Sequence, residues 1–160
     1  MNPSEVNDAH YLRAAEGWLT LHRPVEANEE LNRLSQARRK TAEVLILRWH
    51  IFARAQLWQV CLSIARFMTV QAPDDIRGWV VLGETYRALN RFAEAYRMAL
   101  TKALEFSHSW QLLYEAARFG CLVGKTAEAR QYLQLAMAIG DARKVKARAA
   151  RDTDLSPLWL

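Results

Sequence analysis

The chain has 160 residues, 51% of them hydrophobic, with only 6 Gly and 4 Pro. That is enough for one domain with a core, in a composition that favours helix and leaves little room for a sheet. The net charge is +5 and the isoelectric point about 9.5, which suits an anionic partner without demanding one.

No apolar run approaches the roughly 20 residues of a membrane helix. The start, MNPSEVNDAH, has neither the basic residues nor the apolar block of a secretory signal. Cys61 and Cys121 stand apart, without CxxC spacing. The expected setting is therefore a reducing cytoplasm with no disulfide framework.

In chain order, four windows share one register: 8–41, 42–75, 76–109 and 110–143. Each reads as two helices. The first holds Tyr11, Ala15, Trp18, Leu21 and Ala27, with Pro24 suited to the first turn of its second helix. The second holds Leu45, Phe52, Trp58 and Cys61, and Pro73 closes it. In the third, Asp74 or Asp75 can cap the start, because a short side-chain acceptor satisfies free backbone N–H groups. Trp79, Leu82, Gly83 and Tyr86 then fall at i, i+3, i+4 and i+7, one helical face. Asn90 marks the turn, and Phe92, Ala95, Tyr96 and Ala99 begin the next apolar face. The fourth repeats the pattern with Leu113, Ala116, Ala117, Val123 and Ala129, and Gly124 suits the end of its first helix.

Beyond the windows, one short helix is predicted from about Ala142 to Arg151, with Val145, Ala149 and Ala142 facing inward. Leu155, Leu158 and Trp159 are expected to fold back onto the last window; a free tail that binds a partner is the alternative. Trp18, Phe52, Trp58, Tyr86 and Phe92 read as packing anchors, whereas Trp110 and Trp159 read as exposed.

The pattern resembles the tetratricopeptide repeat, whose period is 34 residues. The likeness is best in Trp79, Leu82, Gly83 and Tyr86, in Phe92 and Ala95, and in Pro73, and it covers about residues 8–143. It implies an all-α chain: antiparallel helix pairs stacked into a right-handed α-α superhelix of about four repeats, with a C-terminal capping helix, all in one domain spanning residues 1–160. Small residues (Ala15, Gly83 and Ala117 in first helices; Ala27, Cys61, Ala95 and Ala129 in second helices) then let neighbours approach closely. Trp49 replaces a small residue, so packing must differ there. Lys102 stands where the family prefers Ala, with Ala103 one residue late, which predicts a rotated or overwound helix end.

Catalytic patterns are missing. Gly120 and Gly124-Lys125-Thr126 mimic a phosphate loop, but the spacing is one residue short and the repeat puts Gly120 inside a helix. His10, His22, His50 and His108 show no metal-ligand spacing. Neither a nucleophile elbow nor a Cys–His arrangement is visible. The expectation is a protein that is not an enzyme and uses neither cofactor nor metal.

What remains is surface. At 100° per residue, Arg77, Val80, Glu84 and Arg87 gather on a strip away from the core face. The resemblance implies that such strips of first helices line a concave groove. The repeat register adds Glu43, Ile46, His50, Ala53 and Arg54, then Gln111, Tyr114, Arg118, Cys121 and Leu122, and from the first window Leu12, Glu16, Leu19 and Thr20. Such a trough suits one apolar stripe of a helix or extended peptide, with charges setting register. Arg54, Arg87 and Arg118 could each fork onto a carboxylate. Some domains of the family clamp an acidic C-terminal peptide with Lys and Asn; Leu12, Glu16, Ile46, His50, Val80 and Glu84 hold those places here, so that clamp is absent.

The first functional reading is a non-catalytic module that docks a peptide or helix of a partner protein in the groove formed by Ile46, His50, Arg54, Arg77, Val80, Glu84, Arg87, Tyr114 and Arg118. The second is nucleic-acid or other polyanion binding through Arg143, Lys144, Lys146, Arg148 and Arg151, aided by Arg38, Arg39 and Lys40; solvated helix ends are the ordinary account of such runs. The third is self-association through an exposed repeat edge or the Trp159 tail, which leaves monomer or homodimer open.

Overall fold

A computed structural model describes residues 3–159, with side chains from Asn7 onward. Its elements are α1 (Pro3–Thr20), α2 (Pro24–Arg33), α3 (Gln36–Arg39), α4 (Ala42–Arg54), α5 (Trp58–Gln71), α6 (Ile76–Ala88), α7 (Phe92–Glu105), α8 (Trp110–Leu122), α9 (Thr126–Ile139), α10 (Ala142–Ala149) and a 3-10 segment (Thr153–Leu158). Among the described residues there is no strand. Helix starts at Ala42, Ile76 and Trp110 recur at the predicted interval, as do those at Pro24, Trp58, Phe92 and Thr126.

Each hairpin turns in the same way. His22, Gln56, Asn90 and Gly124 adopt positive φ, at 57°, 57°, 58° and 79°. After each, a backbone N–H reaches back to close the turn: Arg23 to the Trp18 carbonyl at 2.9 Å, Leu57 to Phe52 at 2.9 Å, Arg91 to Tyr86 at 2.8 Å, and Lys125 to Gly120 at 2.8 Å. This Schellman arrangement satisfies carbonyls that the helix end would leave bare, and left-handed backbone is what it needs. Asn90 and Gly124 suit that backbone; His22 and Gln56 hold it at a steric cost.

Contacts gather into two compact units, residues 1–72 and 73–160. In the first, α2 packs on both α1 and α4, and α4 on α5. Its core joins Leu12, Ala15, Ala27, Leu31, Leu34, Val44 and Ile51. Here α2 has 10 residues where α5, α7 and α9 have 14. The chain leaves α2 at Leu34, which turns extended and stays buried. Ser35 then caps α3, while its N–H and Oγ donate to Asp8 at 2.8 and 2.6 Å. The short helix α3 was not legible in the sequence. Trp49 is accommodated in the core, 9% exposed, with fully buried Cys61 donating its thiol to the Trp49 carbonyl at 3.7 Å.

In the second unit α7 packs between α6 and α8, and α9 between α8 and α10. Gly83 is required by proximity: a Cβ there would lie 2.9 Å from the Phe119 ring. Near Lys102 helix α7 runs unbroken to Glu105, and Ala103 is buried there, one residue later in the register than Ala136 of α9, while Lys102 lays its ammonium 4.0 Å from the Trp79 ring centre. Cation–π attraction and stem packing accommodate the long side chain. Trp110 departs from expectation. It is half-buried against the core, pressed on Gly140, where a Cβ would come within 2.7 Å of its Cγ.

Helix α10 starts at Ala142, capped by Asp141, and ends two residues before the predicted Arg151. Val145 and Ala149 are buried, but Ala142 is exposed. The 3-10 segment folds back on α8 and α9, burying Leu155 and Leu158 in the core. Trp159 stays outside, 56% exposed.

Candidate functional site

The α6 strip begins at its cap. Asp75 accepts from the Arg77 backbone N–H at 3.0 Å and pairs with the Arg77 guanidinium at 2.6 Å. Two turns on, Glu84 accepts from Arg87 Nε at 3.0 Å and also pairs with Arg118 of α8. Val80 lies between, half-buried against the core.

On α8 the equivalent strip is not open. Tyr114 is fully buried and Arg118 only 6% exposed. The chain's own C-terminal stretch covers them. Tyr114 donates its hydroxyl to Asp152 at 2.8 Å. Arg118 Nε lies 2.9 Å from the Asp152 carboxylate, and its Nη2 donates to Asp154 at 2.9 Å. Its other amino nitrogen donates to buried Glu115 at 2.8 Å. Arg87 reaches Asp154 at 3.7 Å. Two residues expected to meet a partner are thus engaged internally, by acids that lie more than 30 positions away in sequence.

Four carboxylates around one guanidinium set opposite tendencies. Burial pushes the Glu115 carboxyl up to about 7, Arg118 opposes this, and the Glu84 charge adds to it. Glu84 is also pushed up by burial, but the charge and hydrogen bond of Arg118, joined by those of Arg87, together reverse this and hold it below the usual range. Burial and the bond to Asp152 hold the Tyr114 proton on. Arg148, from α10, closes the far side: its guanidinium stands 4.3 Å from the Tyr114 ring centre and donates to Glu115 at 3.3 Å.

In the first unit the α4 strip stays accessible. Ile46 is half-buried and His50 exposed, its ring edge-on to Trp49 at 5.1 Å. Partial burial and then the Arg54 charge lower the His50 pKa. Arg54 donates to the Leu19 carbonyl at 2.8 Å, so it serves the end of α1 while remaining exposed. Of the basic terminal residues, Lys144 pairs with Asp141 at 3.6 Å, and Arg143, Lys146 and Arg151 are exposed. Among the described residues no cluster of His, Cys, Asp and Glu is fit to hold a metal ion. No helix there is long and apolar enough to cross a membrane.

Comparison with solved structures finds the same architecture. TTC0263, a thermophilic TPR protein of Thermus thermophilus, is similar with a TM-score of 0.73 at 18% identity, over 95% of this chain and 81% of that one. The chain has the tetratricopeptide-repeat fold. MamA of AMB-1 shares the same fold, with a TM-score of 0.60 at 14% identity over 96% of this chain and 95% of that one. No family model and no curated protein sequence matches the chain. At such identities the likeness speaks for the fold alone.

Within the tetratricopeptide-repeat fold, the features that sequence reading missed are Asp152, Asp154 and Glu115 as partners of Arg118. Asp152 and Asp154 were visible as an acidic stretch following a basic helix. Glu115 gave no signal, since a lone acid on a helix ordinarily faces solvent.

Proposed function

We propose that the protein is a non-catalytic interaction module that docks a peptide or helix of a partner protein on the strips of its first helices. One observation carries this reading. The α8 strip already holds an acidic stretch of chain: Tyr114 and Arg118 grip Asp152 and Asp154 through charge-assisted bonds while Leu155 and Leu158 sink into the core beside them. Acidic side chains paired with apolar anchors are the chemistry such a strip recognises. The strips offered to a partner are Ile46, His50 and Arg54 on α4, and Arg77, Val80, Glu84 and Arg87 on α6, of which His50, Arg54 and Arg77 are exposed and the others half-buried.

The test is affinity capture from the native lysate with the full chain and three variants, Ile46→Asp, Val80→Asp and the off-strip control Lys146→Ala. The reading expects a partner recovered by wild type and Lys146→Ala and lost from one or both strip variants. Equal recovery by all four proteins overturns it.

A further inference from the structure

We infer that the cleft between α10 and the ends of α6 and α8 is a binding site for a small, phosphate-rich anion. The open cleft offers about 670 Å³ and is lined by Arg87, Arg118, Lys144, Arg148 and Arg151 together with Asp152, Thr153 and Asp154. That volume lies within the range of small-molecule sites, about 300–1,000 Å³.

Its charges are sorted by depth. The acids of the lining are withdrawn: the side chains of Asp154 and Asp152 are 14% and 15% exposed, with Glu115 behind them at 2%, and each is held by an internal cation; the exposed acid nearby is Asp141, paired with Lys144. The cations stand forward: Lys144 is 84% exposed, Arg148 45% and Arg87 38%. Arg151 is exposed and has no ion-pair partner among the described residues. An incoming molecule therefore meets cations first: the lining carries Arg87, Arg118, Lys144, Arg148 and Arg151 against the carboxylates of Asp152 and Asp154.

The spacing limits the ligand. Lys144, Arg148 and Arg151 fall at i, i+4 and i+7, on one face of α10 and the turn that follows it. They span about 10 Å at the helical rise, against about 34 Å for a turn of duplex DNA. Arg143 and Lys146, on the same helix, lie outside the cleft. Ala147 is the only apolar side chain in the lining, so the cleft gives no seat to the apolar anchor of a docking peptide. Guanidinium forks in a row match the oxygens of adjacent phosphoryl groups.

Isothermal titration of the full chain with inorganic tripolyphosphate, at low and at physiological salt, tests the site; citrate and a short single-stranded oligonucleotide are the comparison ligands. The expected result is saturable one-to-one binding of tripolyphosphate. Arg151→Ala and Lys144→Ala should each weaken it about tenfold, the loss of one charge-assisted contact, and Arg143→Ala and Lys146→Ala less than about twofold. Absence of saturable binding at low salt overturns the inference. So do equal losses in all four variants, which mark diffuse attraction only, and tighter binding of citrate or the oligonucleotide than of tripolyphosphate.

Discussion

Replacing Arg118 with Met keeps an unbranched apolar stem and removes the guanidinium with its charge. Arg118 is 6% exposed. It is paired with Glu84, with Glu115 at 2.8 Å, and with Asp152 and Asp154 at 2.9 Å each. Removing one partner from a buried pair leaves the other uncompensated and costs about 3–5 kcal/mol. Here four acids lose their common partner, while Arg87 and Arg148 remain, so that range is the expected loss near neutral pH. The loss should depend on pH. In the wild type, Glu84 titrates below its ordinary 4.5, so its share of stability is present above that value and fades as pH falls. Glu115 works the other way: raised to about 7, it favours the folded state below 4.5, and that share is lost as pH climbs to 7. Without the guanidinium the Glu84 and Glu115 carboxyls lose the charge that lowers both, so the variant's deficit is largest at pH 8 and shrinks toward pH 5. Urea unfolding of the full chain, followed by circular dichroism at both pH values, measures it. A deficit under about 1 kcal/mol at pH 8, or one equal at the two pH values, refutes the reasoning.

Glu115→Gln should flatten the wild-type decline in stability between pH 5 and pH 8, read from the same unfolding curves, because the group that favours the proton is gone. Gln56→Gly should raise the urea midpoint by the equivalent of about 0.5–1 kcal/mol, since Gln56 holds left-handed backbone; Gly124→Ala should lower it by about 1 kcal/mol for the converse reason. Gly140→Ala drives a methyl to 2.7 Å from Trp110 Cγ, and should cost about 1–3 kcal/mol. Cys61 and Cys121 are buried, and burial pushes the Cys61 thiol up to about 11; a disulfide reagent should react slowly with the native chain and rapidly with both thiols in urea.

The repeat was legible because packing repeats. Ala15, Gly83 and Ala117, and Ala27, Cys61, Ala95 and Ala129, are buried in the structure as the register required. The turns were half legible. Asn90 and Gly124 advertise left-handed backbone, while His22 and Gln56 adopt it because their neighbours in the hairpin leave no other path. Helix α3 escaped notice because Leu34 and Ser35 interrupt a pattern that otherwise continues. Periodicity drew the first-helix strips and the family resemblance turned them toward a groove, yet the repeat register treats every window alike. It had no means of telling that Asp152 and Asp154 would occupy the last strip, since that pairing is a long-range contact between segments of different character. Trp110 was misjudged for a related reason: its neighbour Gly140 lies outside the matched core positions.

The way the second unit closes also limits how the chain can lengthen. Helix α10 and the 3-10 segment cover α9 and α8 with Val145, Ala149, Leu155 and Leu158. A helix pair stacked directly on the outer face of α10 would meet the exposed Arg143, Lys144 and Lys146 in place of an apolar stripe. A repeat duplicated inside the array therefore enters upstream of Asp141, and the seal is carried outward with it.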